Sequence, residues 1–384
     1  MAAPHKLCMI PGPVEFHEDV LAAMASPALS HIAPSFIDCF GRVLENLRHV
    51  LLTKSAQPFV VAGSGTLGWD LAVANLIEKG DKALVHNTGV FGDRMGDCLA
   101  TYGAEVSHVR APPGHRPSLQ EIEQALTADG PFRMITITHV DTSTGVLTDI
   151  QAVAEVVRRV SPDTLILVDG VCSVAAEPIR MDDWGIDVVT SAGQKALGTP
   201  PGLAVVLASE RAMRVFNSRK TPVAAYFASW NRWLPIMQSY EKRTPSYFGT
   251  PPVQLIMAMD ASLKLILSHG MEKIFAEHAA ASDHVKQVLE GWGLKLVPQS
   301  REAAAHAMTA VYYPEGVAAS ALLSSAAAHN VVLAGGLHPT IAAKYFRIGH
   351  MGITVYEPQR KYIETTLDAL KKALVESGYQ LPSQ

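Results

Sequence analysis

The stretch DVVTSAGQKALGTPPG, residues 187–202, decides the fold of this 384-residue chain. Its first half is a β-rich run, and its second half is a loop of small residues that carries one lysine, Lys195. A lysine between a buried strand and a Gly/Pro loop is held in place by the backbone segments before and after it. Such surroundings lower the pKa of the amine and free it for carbonyl chemistry. The alternative interpretation is an ordinary solvated lysine, so other parts of the chain have to support the first one.

Outward from this stretch, short β-rich runs alternate with helical ones between residues 58 and 209. Seven runs are predicted strands: PFVVA, KALVHN, AEVSHVR, FRMITITHV, TLILVDGV, DVVTSA and LAVVLAS. This alternation is typical of a mostly parallel sheet covered by helices. The sequence therefore predicts an α/β fold built on a mostly parallel, seven-stranded sheet.

The length of the chain predicts more than one domain. Residues 1–57 are predicted to form an N-terminal arm with a helix, and residues 58–254 the large domain. Within the latter, residues 210–254 are rich in aromatics and proline and are predicted to be an irregular functional or interface segment. Residues 255–384 are predicted to form a smaller C-terminal α/β domain. Its predicted strands are LKLV, MTAVYY, VVLAGG and FRIGH.

Composition and charge exclude several classes of protein. The hydrophobic fraction of 48% and the charged fraction of 18% are those of a globular chain, not a disordered one. The net charge of −4 comes without a basic block, so nucleic acid is not an expected partner. No apolar run has the length of a signal peptide core or a membrane span, and LPSQ is not an SKL-type peroxisomal signal. The cytoplasm is the expected compartment, with mitochondria and peroxisomes left open.

Cysteine and histidine spacing favours neither disulfides nor metals. The four cysteines, Cys8, Cys39, Cys98 and Cys172, form no CxxC pair and are expected to be reduced thiols. The 15 histidines lack an HExxH or similar spacing. No metal site is predicted.

A glycine-rich motif follows the first predicted strand. GSGTLG, residues 63–68, matches GxGxxG and opens a helix, where free backbone N–H groups and the helix dipole attract an anion. A dinucleotide site also needs an acidic residue at the end of the next strand, which here ends in Asn87, Thr88 and Gly89. A single phosphate is therefore favoured over a nicotinamide dinucleotide, and a glycine-rich turn without a ligand is the remaining alternative.

Polar residues end two other predicted strands. Asp169 follows an apolar run at the carboxyl edge of the sheet, where a carboxylate needs a metal, a lysine or a protonated ring nitrogen as partner. A structural alternative is that it caps the following turn. The hydroxyls of Thr142, Ser143 and Thr144 follow another strand and either orient a ligand or form turn hydrogen bonds.

Two further side chains have a functional and a structural interpretation. Phe91 lies just past a strand end, as a ring-stacking platform or as part of the core. Arg347 lies in an apolar predicted strand, and its fork suits a planar carboxylate. For Arg347 the structural alternative is an internal salt bridge.

Seven segments together resemble class V aminotransferases of the pyridoxal-phosphate fold type I superfamily. These segments are IPGP, AGSGTLGWD, THVDTSTGVL, VDGVCS, SAGQKALGTPPG, YFGTPPVQ and RIGHMG. The resemblance is strongest to the alanine–glyoxylate and serine–pyruvate group of fungal type, and it runs from about Met9 to the final helix. It implies pyridoxal 5′-phosphate as cofactor and a homodimer with shared active sites.

The resemblance also implies roles for individual residues. Lys195 is expected to bind the cofactor covalently and to move the substrate's α-proton, and Asp169 to pair with the pyridine nitrogen. The ring is expected between Val171 and Phe91, with Thr142 near its phenolic oxygen. The expected phosphate contacts are Ser64, Gly65, Thr66 and Gln194, with Tyr247 and Thr250 supplied by the neighbouring subunit. Arg347 is expected to bind the substrate carboxylate and Gly12 to lie close to the reacting carbon.

The activity that the resemblance implies is transamination of a small amino acid, alanine or serine, with glyoxylate. The products are pyruvate or hydroxypyruvate and glycine. One alternative is a cysteine desulfurase, although those enzymes typically have histidine where this chain has Gln194. The others are a nicotinamide-dependent oxidoreductase and a non-catalytic α/β binding module.

Overall fold

The computed structural model describes residues 5–382. In that range the α-helices are α1 (Glu18–Met24), α2 (Pro34–Val50), α3 (Gly65–Leu76), α4 (Val90–Thr101), α5 (Leu119–Ala128), α6 (Ile150–Val160), α7 (Glu210–Asn217), α8 (Trp230–Glu241), α9 (Val253–His269), α10 (Met271–Gly291), α11 (Ala319–Ala328), α12 (Ile353–Tyr356) and α13 (Tyr362–Glu376). The strands are β1 (Leu7–Cys8), β2 (Gln57–Ala62), β3 (Lys82–Asn87), β4 (Glu105–Arg110), β5 (Met134–Thr138), β6 (Val140–Asp141), β7 (Val146–Leu147), β8 (Leu165–Asp169), β9 (Val188–Ala192), β10 (Leu203–Ala208), β11 (Met308–Tyr312), β12 (Val331–Val332), β13 (Ala334–Gly335) and β14 (Tyr345–Gly349).

The seven predicted strands form one sheet, which confirms the predicted α/β fold. Their order is β2-β10-β9-β8-β5-β3-β4, and β10 runs antiparallel to both of its neighbours. The other neighbouring pairs are parallel. Every residue of β5, β8 and β9 is buried, because helices cover both faces of a sheet of this kind. The carboxyl ends of these three central strands meet at one edge of the sheet.

The prediction of an irregular segment over residues 210–254 was wrong in part, although residues 218–229 and 242–252 contain no helix or strand. That segment contains α7 and α8, and α8 includes Pro235. The aromatic side chains of α8 pack inward, where the Tyr240 ring lies 4.3 Å from the Phe40 ring of α2 and the Trp230 ring stacks on Phe59 at 4.9 Å. Tertiary burial of these rings outweighs the weak helical signal of a proline-containing sequence.

A second sheet lies in the C-terminal third, with the antiparallel order β11-β14-β13. The predicted strand LKLV contributes only an isolated bridge between Leu296 and Val311. Near the N-terminus, β1 pairs in parallel with β12, so the N-terminal arm joins this part of the chain. A hydrophobic cluster separate from the main core, which includes Val311, Phe346 and Leu370, packs around this second sheet. The exact domain boundaries stay a prediction.

No helix within residues 5–382 has both the length and the apolar character that crossing a membrane requires. In the same range, no three histidine, cysteine, aspartate or glutamate side chains are grouped closely enough to hold a metal ion.

Candidate active site

A cavity of about 210 Å³ opens at the carboxyl edge of the seven-stranded sheet. It is lined by Ser64, Gly65, Thr66, Trp69, Phe91, Val140, Thr142, Asp169, Val171, Cys172, Gln194 and Lys195. Nine of these twelve residues were predicted from the sequence as parts of one site, although they come from five separate segments of the chain. Trp69, Val140 and Cys172 were not predicted, because a buried apolar or thiol side chain carries no signal that separates a cavity wall from a core.

Lys195 enters the cavity from the turn that follows β9. Its ammonium donates a hydrogen bond to the carbonyl of Pro11, and burial lowers the pKa of the amine. Gly12, at a φ of +87°, lies against the lysine: a Cβ on this residue would come within 2.7 Å of the Lys195 Nζ. The absence of a side chain at Gly12 therefore makes room for the lysine itself.

Asp169 is the last residue of β8 and is 4% exposed. Its Oδ1 accepts a hydrogen bond from the Val171 amide at 3.1 Å. Burial raises the pKa of this carboxyl to about 6, and the nearby Lys195 ammonium offsets only a small part of that rise. The Trp69 indole N–H faces Asp169 and lowers the pKa of this carboxyl slightly, although the contact falls short of a well-formed hydrogen bond. A cationic ligand at Asp169 would supply what this carboxylate lacks.

The N-terminus of α3 forms one end of the cavity. Ser64 is the N-cap residue, yet its side chain makes no capping hydrogen bond to the described part of the helix. A Cβ on Gly65 would lie 2.9 Å from the Val171 side chain, so only glycine allows the loop to approach this closely. The buried amide oxygen of Gln194 likewise has no partner within residues 5–382. An uncapped helix start with free N–H groups is suited to a phosphate.

Phe91 is fixed at the start of α4 by a residue that the sequence did not single out. The buried Asp141 carboxylate accepts hydrogen bonds from the Phe91 amide at 3.2 Å and from the Ser143 amide at 2.9 Å. The Ser143 hydroxyl in turn accepts from the Val90 amide at 3.1 Å. The Trp69 ring packs edge-on against Phe91 at 6.4 Å. These contacts hold the Phe91 side chain at the cavity wall.

Arg347 lies on β14, beside the cavity rather than on its wall. Its Nε donates to the Gly335 carbonyl at 2.8 Å and its Nη1 to the Thr142 carbonyl at 3.1 Å. In the described chain this guanidinium donates hydrogen bonds to backbone carbonyls and not to a carboxylate. The alternative interpretation of Arg347 as part of an internal salt bridge was therefore wrong. Three of its five N–H groups are left for a ligand.

Tyr247 and Thr250 do not reach the cavity of their own chain. Both side chains are exposed, Tyr247 at 61%, on the segment between α8 and α9. The Tyr247 ring lies 5.1 Å from the His31 ring near the N-terminus. The assignment of these two residues to a neighbouring subunit's site stays a prediction.

The fold is that of the fold type I aminotransferases. Residues 5–354 match the family described as "Aminotransferase class-V", and the chain belongs to this family. It is 42% identical to "Alanine–glyoxylate aminotransferase 1" of Saccharomyces cerevisiae over 95% of this chain and 97% of that protein. It is 34% identical to "L-aspartate–glyoxylate aminotransferase" of Paracoccus denitrificans over 89% of this chain and 85% of that protein. The crystal structure of an alanine–glyoxylate aminotransferase from Nostoc sp. superimposes with a TM-score of 0.89 at 31% identity, covering 97% of this chain and 96% of that one.

Proposed function

We propose that this protein is a pyridoxal-phosphate-dependent aminotransferase that transfers the amino group of a small amino acid to glyoxylate. The observation that carries this proposal is that Asp169 and Lys195 line the same cavity. The lysine has a lowered pKa and a single backbone acceptor in the described chain, and the carboxylate has a raised pKa. The relatives from yeast and Paracoccus, both named for glyoxylate transamination, support the choice of oxo acid.

The cavity residues fit the proposed cofactor at both of its ends. The uncapped start of α3 suits the phosphate, and Asp169 suits the protonated pyridine nitrogen. Val171 and Phe91 line the walls that would face the two sides of the ring. When bound, the cofactor withdraws electrons from the substrate's α-carbon and so makes its proton acidic.

Lys195 is the proposed base for that proton. Because burial lowers the pKa of its amine, a larger fraction is neutral near pH 7 than for a solvated lysine. Gly12 leaves the space in which the amine moves. Arg347, already held by two carbonyls, is the proposed partner of the substrate carboxylate. A bidentate contact would fix which bond of the α-carbon faces the cofactor.

The other chemistries have less support from the geometry. For a nicotinamide enzyme, the end of β3 offers Asn87, whose amide donates to Asp93 at 2.8 Å, in place of a ribose-binding acid. For a desulfurase, the cysteine at the cavity is Cys172, which is 2% exposed and whose thiol pKa is raised by burial. A buried thiol of high pKa is a poor nucleophile.

We propose that the working form is a homodimer in which each copy contributes Tyr247 and Thr250 to the other's phosphate site. The support is their distance from the cavity of their own chain together with a group of exposed aromatics nearby, Tyr226 at 71% and Phe227 at 44%. Mixing Lys195→Ala and Tyr247→Phe proteins should create hybrid dimers in which one of the two sites carries neither change. Recovered activity supports the shared site, and none after verified subunit exchange contradicts it.

The activity itself is tested by a transamination screen. Alanine, serine and aspartate are offered as donors to glyoxylate, and serine and aspartate also to pyruvate, with glycine or alanine formation measured directly. A pocket without a dedicated hydrogen-bond partner rejects an added hydroxyl by only about a hundredfold, so we expect alanine and serine to differ by no more than that. Glycine formed from glyoxylate by the wild type but not by Lys195→Ala supports the proposal. No amino transfer with any pair contradicts it.

A further inference from the structure

Tyr345 and Arg347 occupy alternate positions of β14, so their side chains leave the same face of the strand. Tyr345 is fully buried, at 0% exposure, and Arg347 is half-buried. The sequence analysis gave Arg347 a role and gave Tyr345 none.

Both side chains join the same two backbone segments. One is Thr142–Ser143, next to the β6 strand at the edge of the seven-stranded sheet. The other is residues 335–338, which begin at the last residue of β13. Arg347 donates to a carbonyl in each, at Thr142 and Gly335. The Tyr345 hydroxyl donates to the Ser143 carbonyl and accepts from the amides of Leu337 at 2.8 Å and His338 at 2.9 Å. The tyrosine thus connects the segments that carry the two carbonyl acceptors of the arginine.

This hydroxyl uses its full hydrogen-bonding capacity, one donor and two acceptor positions. The tyrosine ring is in close contact with the same segment: a Cβ on Gly336 would lie 2.6 Å from the Tyr345 Cε1 and 2.3 Å from the Ala342 carbonyl oxygen. Residues 335–338 therefore have little freedom to move relative to Ser143 while the hydroxyl is present.

We propose that Tyr345 is a positioning residue for substrate-carboxylate binding, acting through Arg347. It fixes residues 335–338 and Ser143, so that the carbonyls of Gly335 and Thr142 hold the guanidinium in one orientation and leave its remaining N–H groups directed at the substrate. This inference rests on the proposed function, in which Arg347 binds the carboxylate. The amino donor and the oxo acid both carry that carboxylate, so both are affected.

The variant Tyr345→Phe removes the hydroxyl and keeps the ring. Loss of hydrogen bonds that orient a charged group is expected to raise KM for both substrates by about tenfold, with kcat changed by less than about threefold. The matched control is Tyr312→Phe. Tyr312 lies opposite Tyr345 in the β11–β14 register, and its hydroxyl has no hydrogen-bond partner in the described chain.

The experiment measures KM and kcat of the holoenzyme for donor and acceptor, together with amide hydrogen exchange over residues 335–338. We expect Tyr345→Phe to raise both KM values and to speed exchange of the Leu337 and His338 amides, and Tyr312→Phe to do neither. Gly336→Ala, which displaces the same segment with the hydroxyl intact, should also raise both KM values. Wild-type KM in Tyr345→Phe, or an equal rise in Tyr312→Phe, overturns the proposal.

Arg347→Ala separates this inference from the function on which it rests. If Arg347 binds the carboxylate, its removal raises both KM values, and adding Tyr345→Phe to that variant raises them no further. A full tenfold rise on top of Arg347→Ala overturns the positioning role and leaves the carboxylate role intact. Wild-type KM in Arg347→Ala removes the carboxylate role itself, and faster amide exchange in Tyr345→Phe would then report a structural contact only.

Discussion

Two buried pairs of lysine and carboxylate in this protein are surrounded in opposite ways. Lys195 and Asp169 line the cavity at the edge of the seven-stranded sheet. Lys286, on α10, and Glu177, in the segment between β8 and β9, lie away from it and are 2% and 1% exposed. Lys286 and Glu177 are charged groups that stabilise the fold, whereas Lys195 and Asp169 are charged groups available to a ligand.

The second pair is fully provided with partners. The Lys286 ammonium donates to the Ser282 hydroxyl at 2.6 Å and to the Ala305 carbonyl at 2.7 Å. The Glu177 carboxylate accepts from the His306 amide at 2.6 Å and makes a second contact with the His306 ring at 2.7 Å. Buried charges with such partners are stable without any ligand.

The pKa values follow this difference. Burial alone would raise the pKa of Glu177, but the hydrogen bonds and charge of His306 outweigh it and the net shift is downward. Asp169, without comparable donors, has its pKa raised to about 6. Burial lowers the pKa of both lysines, that of Lys286 to about 8. A lysine with a lowered pKa is thus not by itself a sign of catalysis in this protein. A carboxylate beside a cavity whose pKa stays raised, because its few donors do not offset its burial, is the better sign.

The largest effect is expected for Lys195→Ala. Removal of the proposed base should lower kcat by about 10³-fold or more, without lowering the thermal unfolding midpoint, because no network of side-chain partners is broken. Steady-state transamination and a melting curve measure the two quantities. Activity within tenfold of the wild type would remove Lys195 from the mechanism.

Glu177→Ala should have the reverse profile. Removal of this buried carboxylate breaks two hydrogen bonds to a charged group, each worth about 1.5–3 kcal/mol of unfolding free energy, whereas kcat measured well below the melting temperature should stay within about twofold of the wild type. Urea denaturation of the purified protein gives the free energy. A loss of less than about 1 kcal/mol in the free energy of unfolding would mean that the contact between Glu177 and His306 does not stabilise the fold.

Asp169→Asn is expected to stabilise the cofactor-free protein. Folding raises the pKa of this carboxyl from 3.8 to about 6. The folded protein therefore loses stability as the pH rises from about 4 to about 6, and the whole loss is present above pH 6. Two units at 1.36 kcal/mol each give roughly 3 kcal/mol that the neutral amide recovers. Denaturation of both apo proteins at pH 4 and pH 8 should show the difference at pH 8 and little at pH 4. A less stable variant at pH 8 contradicts the assignment of Asp169 as a carboxylate with too few hydrogen-bond donors to offset its burial.

Lys286→Met should have the smallest effect of the four. The thioether fills the space of the lysine stem but leaves the Ser282 hydroxyl and the Ala305 carbonyl without their donor, at about 1–3 kcal/mol. Wild-type kcat is expected, and the same denaturation and kinetic assays measure both quantities. A large loss of kcat with unchanged stability would contradict the interpretation of Lys286 as a structural lysine and of Lys195 as the catalytic one.

Much of the fold and of the site could be predicted because short stretches of sequence indicate them. The seven strands are apolar runs bounded by turn residues, and Ser64, Asp169 and Lys195 follow strand ends, which meet at one edge of a parallel sheet. Position relative to a strand end is a property of the sequence itself.

The remainder depends on contacts between distant segments. Tyr345 meets Ser143 across 202 positions, and nothing in the residues around it in the sequence indicates this contact. Trp69 directly follows the glycine motif of residues 63–68 and lines the cavity only because α3 turns that face inward. The helix α8 was missed because its stability comes from aromatic packing on α2 and β2, which periodicity does not record.

The most direct test of the comparison is to find which lysine holds the cofactor. The wild-type protein is loaded with pyridoxal phosphate, reduced with borohydride, digested and analysed by mass spectrometry. Lys195 and Lys286 serve as the two internal reporters in one sample. The account predicts a stoichiometric pyridoxyl group on Lys195 and none on Lys286. A label on Lys286, on another residue in place of Lys195, or on no residue at all would contradict it.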